Sequence, residues 1–302
     1  MVDFVLVVVA PGQGAQTPGF LTPWLELPGV ADRLAAWSEV AGLDLIAFGT
    51  TADADEIRDT AVAQPLLVAA ALASAEALGV NPDLLAGHSV GEFATAALAG
   101  VITPEQALTL VRERGRAMAE AASVTETGMT AVLGGEEPDV LAAIDKHGLT
   151  PANINGSGQI VAGGTLEQLA AFADDAPAGA RLRPLAVAGA FHTAHMAPAV
   201  ARLREAAASV TPADPTVRLL SNADGQVVTG GDEVMSRLVN QVSNPVRWDS
   251  CMATMAELGV TAMIELLPGG TLTGLARRGL RGVKTVAVKT PEHLDAAREL
   301  IK

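Results

Sequence analysis

Apolar and polar positions along this chain follow two alternating rhythms. Short unbroken apolar runs at residues 5–10, 83–86, 217–221, 261–266 and 285–288 read as strands covered on both faces. Between them, segments at 30–41, 63–78, 104–121, 198–208, 232–239, 249–258 and 272–278 read as helices. In the 63–78 segment, Gln64-Pro65 falls near the start, where the first helical turn tolerates proline. Strands and helices that alternate on this scale argue for one α/β sheet. The block 123–188 breaks the rhythm. Its pattern predicts a strand at 129–133, a helix at 138–147, strands at 149–155 and 159–163, a helix at 166–172 and a strand at 181–187. The middle strands meet at Gly156-Ser157-Gly158. That β-α-β-β-α-β order is ferredoxin-like and reads as a compact unit inserted between two halves of the larger sheet.

The strand at 83–86 runs into Gly87-His88-Ser89-Val90-Gly91-Glu92, and a helix-prone segment follows. Gly-x-Ser-x-Gly between strand and helix is the nucleophile-elbow pattern, which lifts a serine hydroxyl above the sheet edge. The helix N-terminus behind it offers backbone N–H groups to a developing oxyanion. An incidental serine in a small-residue turn is the plainer reading. With the elbow, the expected fold is α/β. An α/β-hydrolase-like large subdomain with a mostly parallel sheet takes 1–122 and 199–302. The inserted ferredoxin-like small subdomain takes 123–198.

The first strand ends at Pro11-Gly12-Gln13-Gly14-Ala15-Gln16. A dinucleotide fingerprint would need glycine where Thr17 stands, and a P-loop would need Gly-Lys-Ser/Thr. What remains is a turn with free N–H groups. Further on, Thr103-Pro104-Glu105-Gln106 reads as a capped helix start. At about 100° per residue, Leu108, Val111, Gly115 and Met118 share one stripe, with Arg114 at its edge and Arg112 and Arg116 turned away. An inward guanidinium needs an anion, either an internal Asp or Glu or an acidic substrate.

A serine nucleophile needs a base, and the chain has five histidines. His88 should point away from Ser89 in a sharp elbow, and His147 reads as a solvated residue at a helix end. His293 lies near the C-terminus, where an ordinary α/β-hydrolase carries its base. His192 and His195 follow the last strand of the insert, at the join of the two units, where clefts form. His-x-x-His without a third ligand nearby is a poor metal site, so no metal is expected.

Composition narrows the field further. The net charge of −14 argues against nucleic acid as a partner. No run approaches the roughly 18 apolar residues of a membrane span, and the first apolar run lacks the basic flank of a signal peptide. One cysteine, Cys251, excludes an internal disulfide and fits a reducing cytoplasm. The expectation is a cytoplasmic monomer without a membrane partner.

Taken in order, Pro11–Gln16, Gln64-Pro65, Gly87–Glu92, Arg114-Gly115 with Met118, Phe191-His192, and Gln241 with Asn244-Pro245-Val246 and Trp248 resemble the malonyl-CoA:acyl carrier protein transacylase family. They are also similar to the acyltransferase domains of fatty acid and polyketide synthases. The resemblance spans nearly the whole chain. It implies malonyl transfer from malonyl-CoA to the phosphopantetheine thiol of acyl carrier protein, by a ping-pong route and with no cofactor. It implies Ser89 as nucleophile and His192 as base, oriented by the backbone carbonyl of Gln241. Gln13 and Val90 would supply the oxyanion hole, Arg114 would bind the malonyl carboxylate, and Gln64, Met118, Phe191 and Asn153 would line the pocket. Phe191 matches the malonyl-selecting pattern, while Gly189 stands where modular synthase domains often carry His, and Leu267 where the family commonly has Gly. The carrier is acidic, so a local basic patch should receive it, either Arg277, Arg278, Arg281 and Lys284 or Arg181 and Arg183. The rival reading is a serine esterase or thioesterase with His293 as base.

Overall fold

A computed structural model describes residues 4–301. In the N-terminal half β1 (Leu6–Ala10) leads through α1 (Val30–Ala41) and α2 (Leu45–Thr50) to α3 (Thr60–Leu78), β2 (Leu84–Gly87), α4 (Gly91–Leu98) and α5 (Pro104–Ala122). The insert comprises β3 (Thr127–Gly134), α6 (Glu137–Lys146), β4 (Thr150–Gly156), β5 (Gln159–Thr165), α7 (Leu166–Asp174) and β6 (Ala180–Pro184). The chain then forms α8 (Ala197–Ala207), β7 (Arg218–Leu220), β8 (Val227–Val228) and α9 (Gly231–Asn240). It ends with β9 (Val246–Arg247), α10 (Trp248–Glu257), β10 (Ala262–Glu265), α11 (Thr271–Gly279), β11 (Lys284–Ala287) and α12 (His293–Glu299).

Both halves of the chain build the larger sheet, in the order β11-β10-β1-β2-β7-β8. Every pairing in it is parallel except the short β7–β8 edge. All five residues of β1 are buried, as an unbroken apolar run between two helical layers requires. The smaller sheet runs β6-β3-β5-β4-β9, antiparallel throughout the insert. Its own core lies under α6 and α7 around Val132, Ile144, Ile160 and Phe172. Its fifth strand, β9, belongs to the C-terminal half and pairs parallel with β4, Asn153 opposite Val246.

Two expectations change. α3 begins at Thr60, because the Asp59 carboxylate caps the Ala61 N–H at 2.8 Å, so Pro65 sits inside the helix and not in its first turn. α3 is also long and apolar enough to cross a membrane by length and composition, yet 72% of its apolar window is buried in this fold. It is the central core helix, packed on α5. Gly115 allows that packing: a Cβ there would meet the Thr60 carbonyl oxygen at 2.8 Å and Ala61 Cα at 3.1 Å. This close approach brings Arg114, the neighbour of Gly115, up to Gln64 on α3. The helix start at Thr103-Pro104 forms the capping box that the sequence predicts.

Candidate active site

The site lies at the carboxyl ends of β1 and β2, where open α/β sheets place their ligands. Ser89 adopts φ 53°, a left-handed conformation that a non-glycine residue pays for. The neighbouring turns hold it there. Gly91 packs so tightly on the first loop that a Cβ would meet the Ala10 carbonyl oxygen at 2.3 Å. Gly12 returns the contact, its missing Cβ lying 2.9 Å from the His88 carbonyl oxygen. The loop carrying Gln13 is thereby pressed against the elbow. Neither the Gln13 nor the Val90 N–H has a partner among the backbone hydrogen bonds of the described residues. The Ser89 N–H itself is taken by Asn222 Oδ1 at 2.8 Å.

Ser89 Oγ lies 2.7 Å from His192 Nε2. His192 Nδ1 lies 2.9 Å from the backbone oxygen of Gln241. A carbonyl only accepts, so Nδ1 carries the proton and Nε2 presents its lone pair to the serine. His192 is 3% exposed and also has a positive φ, 60°. Burial, with the Arg114 charge adding to it, pushes its pKa down to about 3, so the imidazole is neutral.

Arg114 is 1% exposed, as the helical periodicity of α5 predicts. It has no ion-pair partner among the described residues, so neither the internal acid nor any direct charge pair accounts for it. Its Nη1 donates to Gln64 Oε1 at 2.7 Å and its Nη2 to Gln241 Oε1 at 2.8 Å. Nη2 also stands 3.4 Å from Ser89 Oγ, and Nε has no partner. The guanidinium carbon lies 5.7 Å from the centre of the Phe93 ring. Burial lowers the Arg114 pKa to about 10, which leaves it cationic.

Gln64 is buried and donates to Met118 Sδ at 3.4 Å, which brings together beside Arg114 two residues that the family resemblance assigns to a pocket. Phe191 is buried beside His192. A Cβ on Gly189 would come within 2.7 Å of Ala122 Cβ, so the histidine that modular synthases carry there does not fit this backbone. Asn153 lies on β4 with its Oδ1 buried and unpaired.

The other histidines separate cleanly. His88 turns away from Ser89, its Nε2 2.9 Å from Asn155 Oδ1 and its ring tilted on Trp248. His293 Nδ1 accepts from Thr290 at the start of α12 and makes no bond to Ser89. His195 follows His192 in a single 3-10 turn, its N–H capped by Thr193 Oγ1. His147 is not solvated as expected: its side chain is 14% exposed, bonded to Asp175 and edge-on to Phe172. The helix end folds it back onto the core of the small sheet.

Asn222 escaped the sequence reading, and Glu92 reads in the sequence only as a structural acid suited to the dipole of the helix it opens. Asn222 is fully buried; its Nδ2 donates to the Gly87 carbonyl at 2.7 Å while its Oδ1 holds Ser89 N–H. Its signal is its position, a polar residue just past β7 at the carboxyl edge of a parallel sheet. Glu92 is also buried, bonded to Asn222 N–H at 2.7 Å and to Gln241 Nε2. The exposed Arg277, Arg278, Arg281 and Lys284, and likewise Arg181 and Arg183, enter no salt bridge among the described residues.

The profile of the acyl transferase domain family matches residues 7–293. A malonyl CoA-acyl carrier protein transacylase of Mycobacterium bovis is 52% identical over 302 residues, covering 98% of this chain and 100% of its own length. The crystal structure of MCAT from Mycobacterium tuberculosis superposes with a TM-score of 0.94 at 53% identity, over 97% of this chain and 99% of that one. A type II PKS acyl-carrier protein in complex with its malonyl-transacylase provides a further likeness. It has a TM-score of 0.92 at 32% identity, over 98% and 99% of the two chains. With an elbow serine, a buried histidine and an inward arginine at one sheet edge, the chain belongs to the acyl transferase family, among the malonyl CoA-acyl carrier protein transacylases.

Proposed function

We propose that this chain moves a malonyl group from malonyl-CoA to the phosphopantetheine thiol of an acyl carrier protein, holding it in between as an ester on Ser89. The observation that carries the reading is the triangle of Ser89 Oγ, His192 Nε2 at 2.7 Å and Arg114 Nη2 at 3.4 Å. In a malonyl group the carboxylate carbon lies only about 2.5 Å from the thioester carbon. An acyl group attacked by Ser89 therefore carries its free acid straight to Arg114. Acetyl has nothing to offer that cation.

In the first half-reaction His192 Nε2 takes the hydroxyl proton as Ser89 Oγ bonds to the thioester carbon. The oxyanion is received by the Gln13 and Val90 N–H groups, each contributing on the order of 3 kcal/mol. The C–S bond then breaks, and the leaving thiolate takes the proton from Nε2. In the second half the carrier's thiol gives its proton to His192 Nε2 and attacks the malonyl ester; the bond to Ser89 Oγ breaks, and Nε2 returns that proton to the departing oxygen. Thioester is exchanged for thioester, so the balance closes without a further reactant. The bound carboxylate also cancels the Arg114 charge that helps hold His192 down to about 3, so a malonyl donor eases proton uptake by its own base. Gln64, Met118 and Phe191 close the pocket around Arg114, and Asn153 borders it from the small sheet. The protein works as a monomer with the carrier as its macromolecular partner. No membrane takes part.

Labelling tests the reading. Protein incubated with malonyl-CoA radiolabelled in the acyl group should retain about one label per chain, and Ser89→Ala should retain none. His192→Asn should slow loading severely while His293→Asn loads like the parent. Loss at His293 alone would revive the esterase reading with that residue as base.

A further inference from the structure

Glu92 takes no part in the transfer chemistry, yet it is only 5% exposed in the first turn of α4. A carboxylate placed there for the helix dipole would gain nothing from burial. Burial in fact pushes its pKa up to about 8, against the pull of its hydrogen bonds and of Arg114. Both of its contacts are donors. Oε1 accepts from the Asn222 backbone N–H at 2.7 Å, and Oε2 accepts from the Gln241 side-chain amide.

Gln241 then has a determined orientation. Its Nε2 faces three acceptors, Glu92 Oε2, the Ser89 carbonyl at 3.0 Å and Asn222 Oδ1 at 3.3 Å. Its Oε1 faces one donor, Arg114 Nη2, at 2.8 Å. A flipped amide would set oxygen against oxygen on one side and NH₂ against a guanidinium on the other. The amide also separates the two charges. A carboxylate placed directly on the guanidinium would fill the fork that a substrate acid needs, whereas an amide oxygen takes one N–H and leaves others open. Arg114 Nε–H is one that stays unpaired.

We propose that Glu92 is a positioning residue for carboxylate recognition: it fixes the Gln241 amide so that Gln241 Oε1 aims Arg114 at the acyl group on Ser89. The inference rests on Arg114 as the carboxylate-binding residue.

Glu92→Gln tests it above pH 8, where Glu92 is ionised and both of its oxygens accept: glutamine offers one acceptor and one donor in their place. With its oxygen on Asn222 N–H, its NH₂ opposes that of Gln241 and turns the Gln241 amide round. The KM for malonyl-CoA should rise, and the malonyl-to-acetyl preference in kcat/KM should fall, each on the order of tenfold. Glu92→Asp, which keeps two acceptors, should recover part of the preference. Gln241→Leu removes the amide but keeps the backbone carbonyl that orients His192, so it should lower the preference by a similar factor. This second variant carries the test if Glu92→Gln does not fold. Where both fold, the double variant should lose no more than either single one. Equal loss on malonyl and acetyl, an unchanged preference, or additive effects would each overturn the inference. A parent without any malonyl preference, or one whose preference survives Arg114→Met, would overturn the reading of Arg114 beneath it. A preference that depends on Arg114 but ignores Glu92 overturns the inference alone.

Discussion

Replacing Arg114 with methionine should separate recognition from stability. The substitution keeps an unbranched chain on the buried face of α5 and removes the cation. Two buried acceptors, Oε1 of Gln64 and of Gln241, lose their donor. That costs about 1–3 kcal/mol each. Against this, burial holds the guanidinium pKa well below its ordinary value, at about 10. Relief of that burden contributes about 3 kcal/mol. The two effects nearly offset, so the melting temperature should move by no more than about 5 °C. Transfer should not be spared. A malonyl carboxylate left unpaired in the site forfeits about 3–5 kcal/mol, a few hundredfold to a few thousandfold in kcat/KM. Acetyl-CoA makes no such contact, and removing a cation that opposes protonation of His192 should hold or raise its rate. Initial rates with both thioesters on one preparation, with a melt followed by circular dichroism, give the answer. A folded variant with the parent's malonyl-to-acetyl ratio would refute the reasoning.

The two buried acid–base groups near Ser89 should tilt stability in opposite directions with pH. His192 binds its proton below about 3 when folded but at 6.5 when exposed, so its share of stability is complete above 6.5 and fades as pH falls through that window. Glu92 keeps its proton to about 8 when folded but loses it near 4.5 when unfolded, so stability declines as pH rises from 4.5 to 8. Melts across pH should show Glu92→Gln flattening the alkaline slope and His192→Gln the acid one; unchanged slopes would count against both assignments. At the far end of α11, reversing charge at Arg277 and Arg278 should raise the KM for carrier protein several-fold and leave that for malonyl-CoA alone. If both stay put, the patch at Arg181 and Arg183 is the next to test.

What could be read in advance was local. The capping box at Thr103, the inward face of α5 and the strand–turn–helix at Ser89 each depend on residues a few positions apart, where periodicity and turn chemistry act. Position after the last strand of the insert offers His192 and His195 alike, and the family resemblance chooses between them. The Glu92–Gln241–Arg114 chain was hidden because it joins residues 149 and 127 positions apart, and its meaning lies in which way an amide points. Asn222 was hidden for the same reason: its partners Ser89 and Gly87 come from the other half of the chain. β9 is only two residues long, too short for any period to register, and α12 follows the last strand that the apolar runs mark.

That two-residue strand has a consequence for modularity. The small sheet is completed by a piece of chain that returns to it nearly fifty residues after the insert has closed, roughly the length of a small repeat unit. Cutting out the insert would strip Val246–Arg247 of their partner and bare the edge of β4, an open invitation to pairing between molecules. Gln241, whose carbonyl steadies His192, lies only five residues before that seam. A graft that swaps the insert between relatives must therefore carry 241–247 with it, or the donor histidine will arrive without the backbone that sets its tautomer.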